Sequence, residues 1–373
     1  MCISPLPQET LENMKRFKYS CTDSSLLYNK FMSPCLNKVV TFLPTWLAPN
    51  LITLISLLFN IFAAIITYQD GGFDFSFKLK RLTCFIIGVF QLNYQLMDNI
   101  DGKQARRTGN STPFGMLMDH GCDIFTNIFT SFNVSKLLLV GNDYFSFSVF
   151  FGLILGFYMM TYEEYKVGEM HFPMVNGADE GNFSIFLLGV FLSIVGQDYM
   201  QYIVSEKYNI SIGQLIGLLI VMAGFSTVFN LYLHTYKKKG LKEAAKNFLD
   251  NIPFYSVLIV PLLFIKFHFE FYQFNKWLII SNACLIFARV TMDLQIKIVT
   301  MDQLTCNIMF IVSNITFIVS LFLPNDSVIY FTLLIFLGCQ AIELSLFIYL
   351  RAKQITTFLG IQIFCVKNNA PLV

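Results

Sequence analysis

The stretch "MDNIDGKQARRTGNSTPFGMLMDHGCD" (residues 97–123) lies between two apolar segments long enough to cross a membrane. It carries Asp98, Asp101, Asp119 and Asp123, together with His120. Acidic side chains at the edge of a bilayer are costly, and they mark function more often than packing. What these five side chains can do together decides how the rest of the chain is read.

Working outward, the 373-residue chain is 55% hydrophobic and only 13% charged, with a mean hydropathy of +0.58. A soluble domain is about 25% charged. Forty-one Phe exceed what a soluble core of this size can hide. The class is an integral membrane protein. A net charge of +2 gives no sign of a nucleic-acid partner. The nine cysteines form no C-x-x-C pair and their number is odd, which argues against a disulfide framework or a zinc knuckle; they read as small buried hydrophobes. Residues 1–41 are polar and mixed in charge, so the first span is expected to insert without a cleaved signal.

The hydropathy pattern predicts an all-α polytopic fold of about ten spans, near 48–68, 82–101, 115–141, 145–165, 183–204, 211–234, 251–268, 277–298, 305–323 and 328–350. Residues 24–42 read as an amphipathic interfacial helix within an N-terminal segment, 1–42. A six-span unit, 43–236, is followed by a basic linker, 237–250, that contains "KKKGLKEAAKN" (237–247). A four-span region, 251–350, and a tail, 351–373, complete the chain. With both termini on one side, that side collects roughly two to three times as many Lys and Arg as the other, which places the termini and the 102–114 loop in the cytosol.

Asp98 and Asp101, at i and i+3, share one helix face at the end of the second span. The helix is expected to give way to a loop at Gly102. Thr112 is a suitable N-cap and Pro113 suits the first turn of the next helix. Asp119 and Asp123, at i and i+4, then share a face of that helix. Two helices thus each present a carboxylate pair at similar depth. Four carboxylates in a low-dielectric cleft repel, and divalent cations relieve that repulsion. Oxygen-only ligands suit Mg²⁺ or Mn²⁺ rather than Zn²⁺, and Mg²⁺ held this way completes its shell with substrate phosphates. Arg106 and Arg107 can hold further phosphate charge. The small residues Gly102, Ala105 and Gly115 admit a flat base or a backbone. A lone Asp would more often be a cap or a solvated charge; two helical pairs around a basic loop weaken that reading.

Written as D98-x2-D101-G102-x2-A105-R106-x8-G115-x3-D119-x3-D123, the stretch resembles the signature of the CDP-alcohol phosphotransferase family. The string "DGKQARRT…STPFG…DHGCD" is similar to the eukaryotic choline/ethanolaminephosphotransferase branch. So are "LPTWLAPNLITL" (43–54), "EEY…NGADEG" (163–181) and "TTFLGIQIFCV" (356–366). The likeness covers roughly residues 40–366 and departs from the family pattern at Tyr162 and in "YKVG" (165–168).

The resemblance implies transfer of a phospho-alcohol from CDP-choline or CDP-ethanolamine to diacylglycerol, with release of CMP. It implies Asp98, Asp101, Asp119 and Asp123 as ligands of two Mg²⁺ or Mn²⁺ ions. Gly102, Ala105 and Gly115 would form the nucleotide wall, with Arg106 a phosphate contact and Asn50 a further pocket residue. His120 is assigned as general base. Glu180, in "NGADEG", would support it, and Glu163 and Glu164 compete for that role. A homodimer is also implied, with the back-half spans at its interface, as is the endoplasmic reticulum, with the Golgi as the other candidate compartment. Two rivals remain: a CDP-diacylglycerol-dependent phosphatidyltransferase of the phosphatidylinositol synthase type, and a membrane transporter. Ten spans and "DHGCD" point away from the first. The absence of paired broken helices in two halves points away from the second.

Overall fold

A computed structural model describes residues 4–304 and 308–366. Residues 1–3, the start of the ninth predicted span (305–307) and the end of the tail (367–373) lie outside the described residues, as do Cys2 and Cys306.

The chain begins with a short helix that the hydropathy pattern did not predict, α1 (Gln8–Arg16), and a strand, β1 (Cys21–Asp23). A π-turn (Tyr28–Met32) then runs without a break into α2 (Ser33–Phe42). This is the predicted interfacial helix. Met32, Leu36 and Val40, spaced by four, are buried against Ile52 and Ile100, while Phe31 and Phe42 face outward.

Ten further helices occupy the ten predicted positions: α3 (Pro49–Gln69), α4 (Arg81–Arg107), α5 (Pro113–Leu138), α6 (Tyr144–Val167), α7 (Asn182–Val195), α8 (Ile212–Asp250), α9 (Ile252–Phe267), α10 (Phe269–Thr300), α11 (Ile308–Val319) and α12 (Asp326–Leu359). A second strand, β2 (Met170–Phe172), follows α6 and pairs in parallel with β1. The protein is an all-α polytopic membrane protein. Among the described residues six helical segments are long and apolar enough to span, and the end of α8 with α9 makes a bent pair, at 58°, that can count as a seventh. The helices α4 and α5 fall short of that standard because they carry the acids of the opening stretch and a run of buried Asn, Thr and Ser.

Several boundaries differ from the expectation. The helix does not stop at Gly102. It continues to Arg107, because Lys103 donates to Ser33 Oγ and Asn37 Oδ1, and Gln104 donates to the carbonyls of Pro44 and Leu47. These bonds lash the last turns of α4 to the interfacial helix, and the break falls at Gly109, with φ of +65°. The fifth span ends at Val195, short of residue 204, since Gly196 adopts a φ of +93° and the chain turns into a short hairpin. The basic linker is helical and belongs to α8, broken at Gly240. Of the seven described cysteines only Cys84 and Cys284 are buried, so the reading of most cysteines as buried hydrophobes fails. Cys339 faces outward from the spanning helix α12, where lipid supplies the apolar environment, and Cys21, Cys35 and Cys365 lie outside the spans.

The helices α3, α4 and α5 pack together at the front, with α7 against α4 and α8 against α6. The α4–α7 crossing is so close that a Cβ on Gly189 would meet the Cys84 carbonyl at 2.6 Å, the small-residue contact expected of membrane helices. α10 is the most enclosed span; it packs on α5 and α6 and carries α9 and α12. One hydrophobic core therefore runs through both halves.

Candidate metal and substrate site

The acids come from two neighbouring helices. Asp98 and Asp101 lie on α4, in the turns just before its extension past the predicted end at Gly102. α5 starts as its sequence dictates, with the Thr112 hydroxyl accepting from Gly115 N at 3.0 Å and Pro113 in the first turn. That start fixes the rotation of α5, and with it the inward direction of Asp119 and Asp123.

Carboxylate oxygens of Asp98, Asp119 and Asp123 lie within 4.8 Å of one another. Asp123 Oδ1 accepts from the Tyr94 hydroxyl at 2.8 Å. One oxygen each of Asp98 and Asp119 is buried without a hydrogen-bond partner among the described residues. Three carboxylates this close, with one neutral donor between them, leave negative charge that the protein does not compensate. An all-oxygen donor set with orphaned oxygens fits a hard divalent cation such as Mg²⁺ or Mn²⁺. Asp101 is buried one helical turn away and accepts a hydrogen bond from Thr53 Oγ1 on α3.

His120 is 8% exposed, and its Nδ1 has no partner among the described residues. Its carbonyl accepts from Gln295 Nε2 on α10 at 3.3 Å. The Tyr19 ring meets the imidazole edge-on, with centroids 5.7 Å apart. Tyr19 belongs to the N-terminal segment, which parallel pairing of β1 with β2 holds over this end of the bundle. Burial, and then the neighbouring charge of Cys21, Glu164 and Asp119, push the Tyr19 hydroxyl well above its usual range, so it is a neutral donor. Glu164 on α6 is 2% exposed, and its Oε2 has no partner.

The remaining predicted residues fall in distinct places. Glu180 has both carboxylate oxygens engaged: Oε1 accepts from Ser25 Oγ at 2.8 Å and Leu27 N at 3.1 Å, and Oε2 from Asn176 N at 3.0 Å. It anchors the N-terminal segment. Gly102 faces the Arg106 guanidinium, 3.6 Å from where a Cβ would stand. Ala105 is half-buried and Arg106 is exposed. Arg107 does something else: it donates to the carbonyls of Val40, Leu43 and Thr41, clamping α2. Gly115 adjoins Asn50, whose Oδ1 lies 3.6 Å from the site of its absent Cβ, while Asn50 Nδ2 donates to Ile363 O at 2.8 Å.

Tyr94, Thr53, Tyr19 and Gln295 were not picked out from the sequence. Tyr94 had a signal, since it stands four residues before Asp98 on the same face of α4. The other three come from remote segments, and no local spacing points to them.

Residues 46–167 match the CDP-alcohol phosphatidyltransferase family. The chain is 30% identical over 260 residues to the uncharacterised CDP-alcohol phosphatidyltransferase class-I family protein 2 of Dictyostelium discoideum, covering 68% of this chain and 61% of that protein. It is 34% identical to choline/ethanolaminephosphotransferase 1 of Arabidopsis thaliana over 50% of this chain and 47% of the relative. It is 33% identical to cholinephosphotransferase 1 of Saccharomyces cerevisiae over 51% and 48%. This chain thus spans about half to three fifths of the length of these relatives. With this domain match over the helices that carry Asp98, Asp119 and Asp123, and with these relatives, the chain belongs to the CDP-alcohol phosphatidyltransferase family.

Proposed function

We propose that the protein transfers phosphocholine or phosphoethanolamine from CDP-choline or CDP-ethanolamine to the hydroxyl of diacylglycerol, releasing CMP. The observation that carries this reading is the trio of carboxylates within 4.8 Å, with orphaned oxygens, beside a buried histidine whose Nδ1 is unpaired. The likeness to proteins named choline/ethanolaminephosphotransferase and cholinephosphotransferase supports the substrate class.

In this reading Asp98, Asp101, Asp119 and Asp123 hold two divalent cations, Mg²⁺ or Mn²⁺, which would balance charge on the pyrophosphate as its P–O bond breaks. Asp123 is oriented by Tyr94, and Asp101 by Thr53. Arg106 and the small wall of Gly102, Ala105 and Gly115 receive the nucleotide. The acceptor oxygen attacks the phosphorus that bears the alcohol, CMP leaves, and the acceptor's proton passes to His120 Nδ1. The edge-on Tyr19 ring packs against the imidazole, and Gln295 holds the backbone carbonyl of the same residue. The chemistry resides in 43–236, on the cytosolic side of an endoplasmic-reticulum membrane, in a homodimer.

The test supplies purified protein with Mg²⁺, diacylglycerol and radiolabelled CDP-choline or CDP-ethanolamine, or with radiolabelled CDP-diacylglycerol and inositol. Labelled phosphatidylcholine or phosphatidylethanolamine is expected, and product formed only from CDP-diacylglycerol overturns the reading. His120→Gln should lower turnover about a hundredfold to ten-thousandfold while donor binding persists.

A further inference from the structure

α12 ends at Leu359, and Gly360 takes a φ of +62°, the left-handed turn that a glycine closes without strain. Gly360 N donates to Thr357 O and Ile361 N to Thr356 O, so the chain folds sharply back. The following residues, 361–366, then run across the start of α3. Two devices pin them there. Ile361 and Ile363 pack on a hydrophobic cluster with Phe114, in the first turn of α5. The Ile363 carbonyl accepts from Asn50 Nδ2 across 313 residues of sequence.

Between this tail and the two helix starts lies a cavity of about 220 Å³, lined by Ala48, Pro49 and Asn50 of α3, by Asn110 and Thr112 before α5, and by the tail from Gly360 to Val366. That is room for about seven waters at the liquid's volume per molecule. No charged side chain lines it. Amides, a hydroxyl and peptide groups alternate with apolar faces. Such a lining suits a flat, neutral, hydrogen-bonding ring better than a phosphate or an acyl chain. Asn50 and Thr112 connect the cavity to the acidic site, because both flank Gly115, where a Cβ would crowd the Thr112 hydroxyl at 3.3 Å and touch Asn50 Oδ1 at 3.6 Å. Gly115 stands one turn before Asp119, about 6 Å along α5. A ring seated in the cavity therefore stands within a diphosphate's reach of the turn of α5 that carries Asp119.

We propose that the C-terminal tail, residues 360–366, is the outer wall of the pocket that takes the pyrimidine nucleoside of the CDP-linked donor, an assignment that rests on the transferase reading above. Two remote segments of the polypeptide then meet at one substrate: the aspartates near residue 100 take the phosphates, and the backbone near residue 363 closes over the base.

The test uses the full chain and CMP. Cys365 lines the cavity and is exposed, so it reports directly. Saturating CMP should slow maleimide modification of Cys365, followed by peptide mass spectrometry, about tenfold or more, whereas inorganic pyrophosphate should not. Cys365→Trp, which fills the cavity from the tail side, should weaken CMP binding by calorimetry about tenfold or more while leaving Mn²⁺ binding by electron paramagnetic resonance within about twofold. Should Cys365→Trp also lose Mn²⁺, the wild-type labelling result decides alone. Wild-type protein that binds CMP with Cys365 unprotected overturns the tail assignment and leaves the transferase reading standing. Wild-type protein that binds neither CMP nor a CDP-alcohol overturns both.

Discussion

α5 carries buried polar chemistry at both of its ends, and the two ends are built on opposite principles. At the Leu138 end, Lys136 is completely buried, and its ammonium donates to the carbonyls of Asp70 at 3.0 Å and Asp74 at 2.7 Å. Gln197 donates to the carbonyls of Lys136 and Leu137 and accepts from Leu79 N. Asp70 takes the Lys80 ammonium at 2.7 Å and the Thr83 hydroxyl at 2.6 Å. Asn142 ties Asp74 to Phe75. The charged groups there find partners, although the neighbouring neutral side chains of Asn133 and Ser135 keep buried polar atoms without one among the described residues. At the Pro113 end, Asp98, Asp119 and His120 each keep a buried polar atom without a partner. A buried ammonium with its carbonyls in place holds loops together, whereas crowded carboxylates without a counter-charge suit a cationic ligand. The same helix thus carries at one end a buried charge matched by carbonyls and at the other crowded carboxylates left unmatched.

The largest expected effects come from exchanging the two ends. Asp119→Asn removes like-charge repulsion from the acidic end, and it should cut transfer by about a thousandfold with no loss of thermal stability. Lys136→Met strands buried carbonyls at the other end and should cost about 3 kcal/mol of stability. Thermal unfolding of the two purified variants, beside their turnover, checks the pair. An Asp119→Asn protein that unfolds earlier than Lys136→Met would erase the distinction.

A middle-sized effect sharpens it. Tyr94 supplies a side-chain hydrogen bond to the acidic trio, at 2.8 Å to Asp123. Tyr94→Phe should slow transfer about five- to tenfold and shift the Mg²⁺ concentration needed for half-maximal rate. Unchanged metal dependence would mean that Asp123 needs no orienting.

The smallest effect concerns pH. Burial pushes Asp74 up, but hydrogen bonds from Ser76 and Asn142 outweigh it and hold the carboxyl at about 2, below its ordinary 3.8. A depressed folded-state value means that the stabilisation is present above pH 3.8 and is lost as pH falls through about 2. Allowing for solvent screening, the effect is on the order of 1 kcal/mol. Asp74→Asn should flatten the acid limb of a stability–pH curve, and an unaltered limb would show that the network does not depend on that charge.

What was legible in the sequence was local. Apolar runs placed all ten helices, since a stretch of spanning length is recognised from its own composition. Thr112 and Pro113 marked the start of α5, and spacings of three and four residues put Asp98 with Asp101 and Asp119 with Asp123 on shared faces. The same local reading ended α4 too early at Gly102. It had no access to Ser33, Asn37, Pro44 and Leu47, the partners that extend that helix to Arg107.

By itself, then, the sequence determined the helices, the acidic pairs and the metal chemistry that carboxylates allow, because each depends on residues within a few turns of one another. Only the tertiary structure decided which oxygens meet and what else reaches them. It brought Asp98, Asp119 and Asp123 together and turned Asp101 to Thr53. It spent Glu180 on Ser25 and Leu27, set Tyr19 and Gln295 about His120, and laid residue 363 against Asn50. These contacts join segments separated by tens to hundreds of residues. Through-space hydrogen bonding and burial set them, and neither leaves a period in the chain.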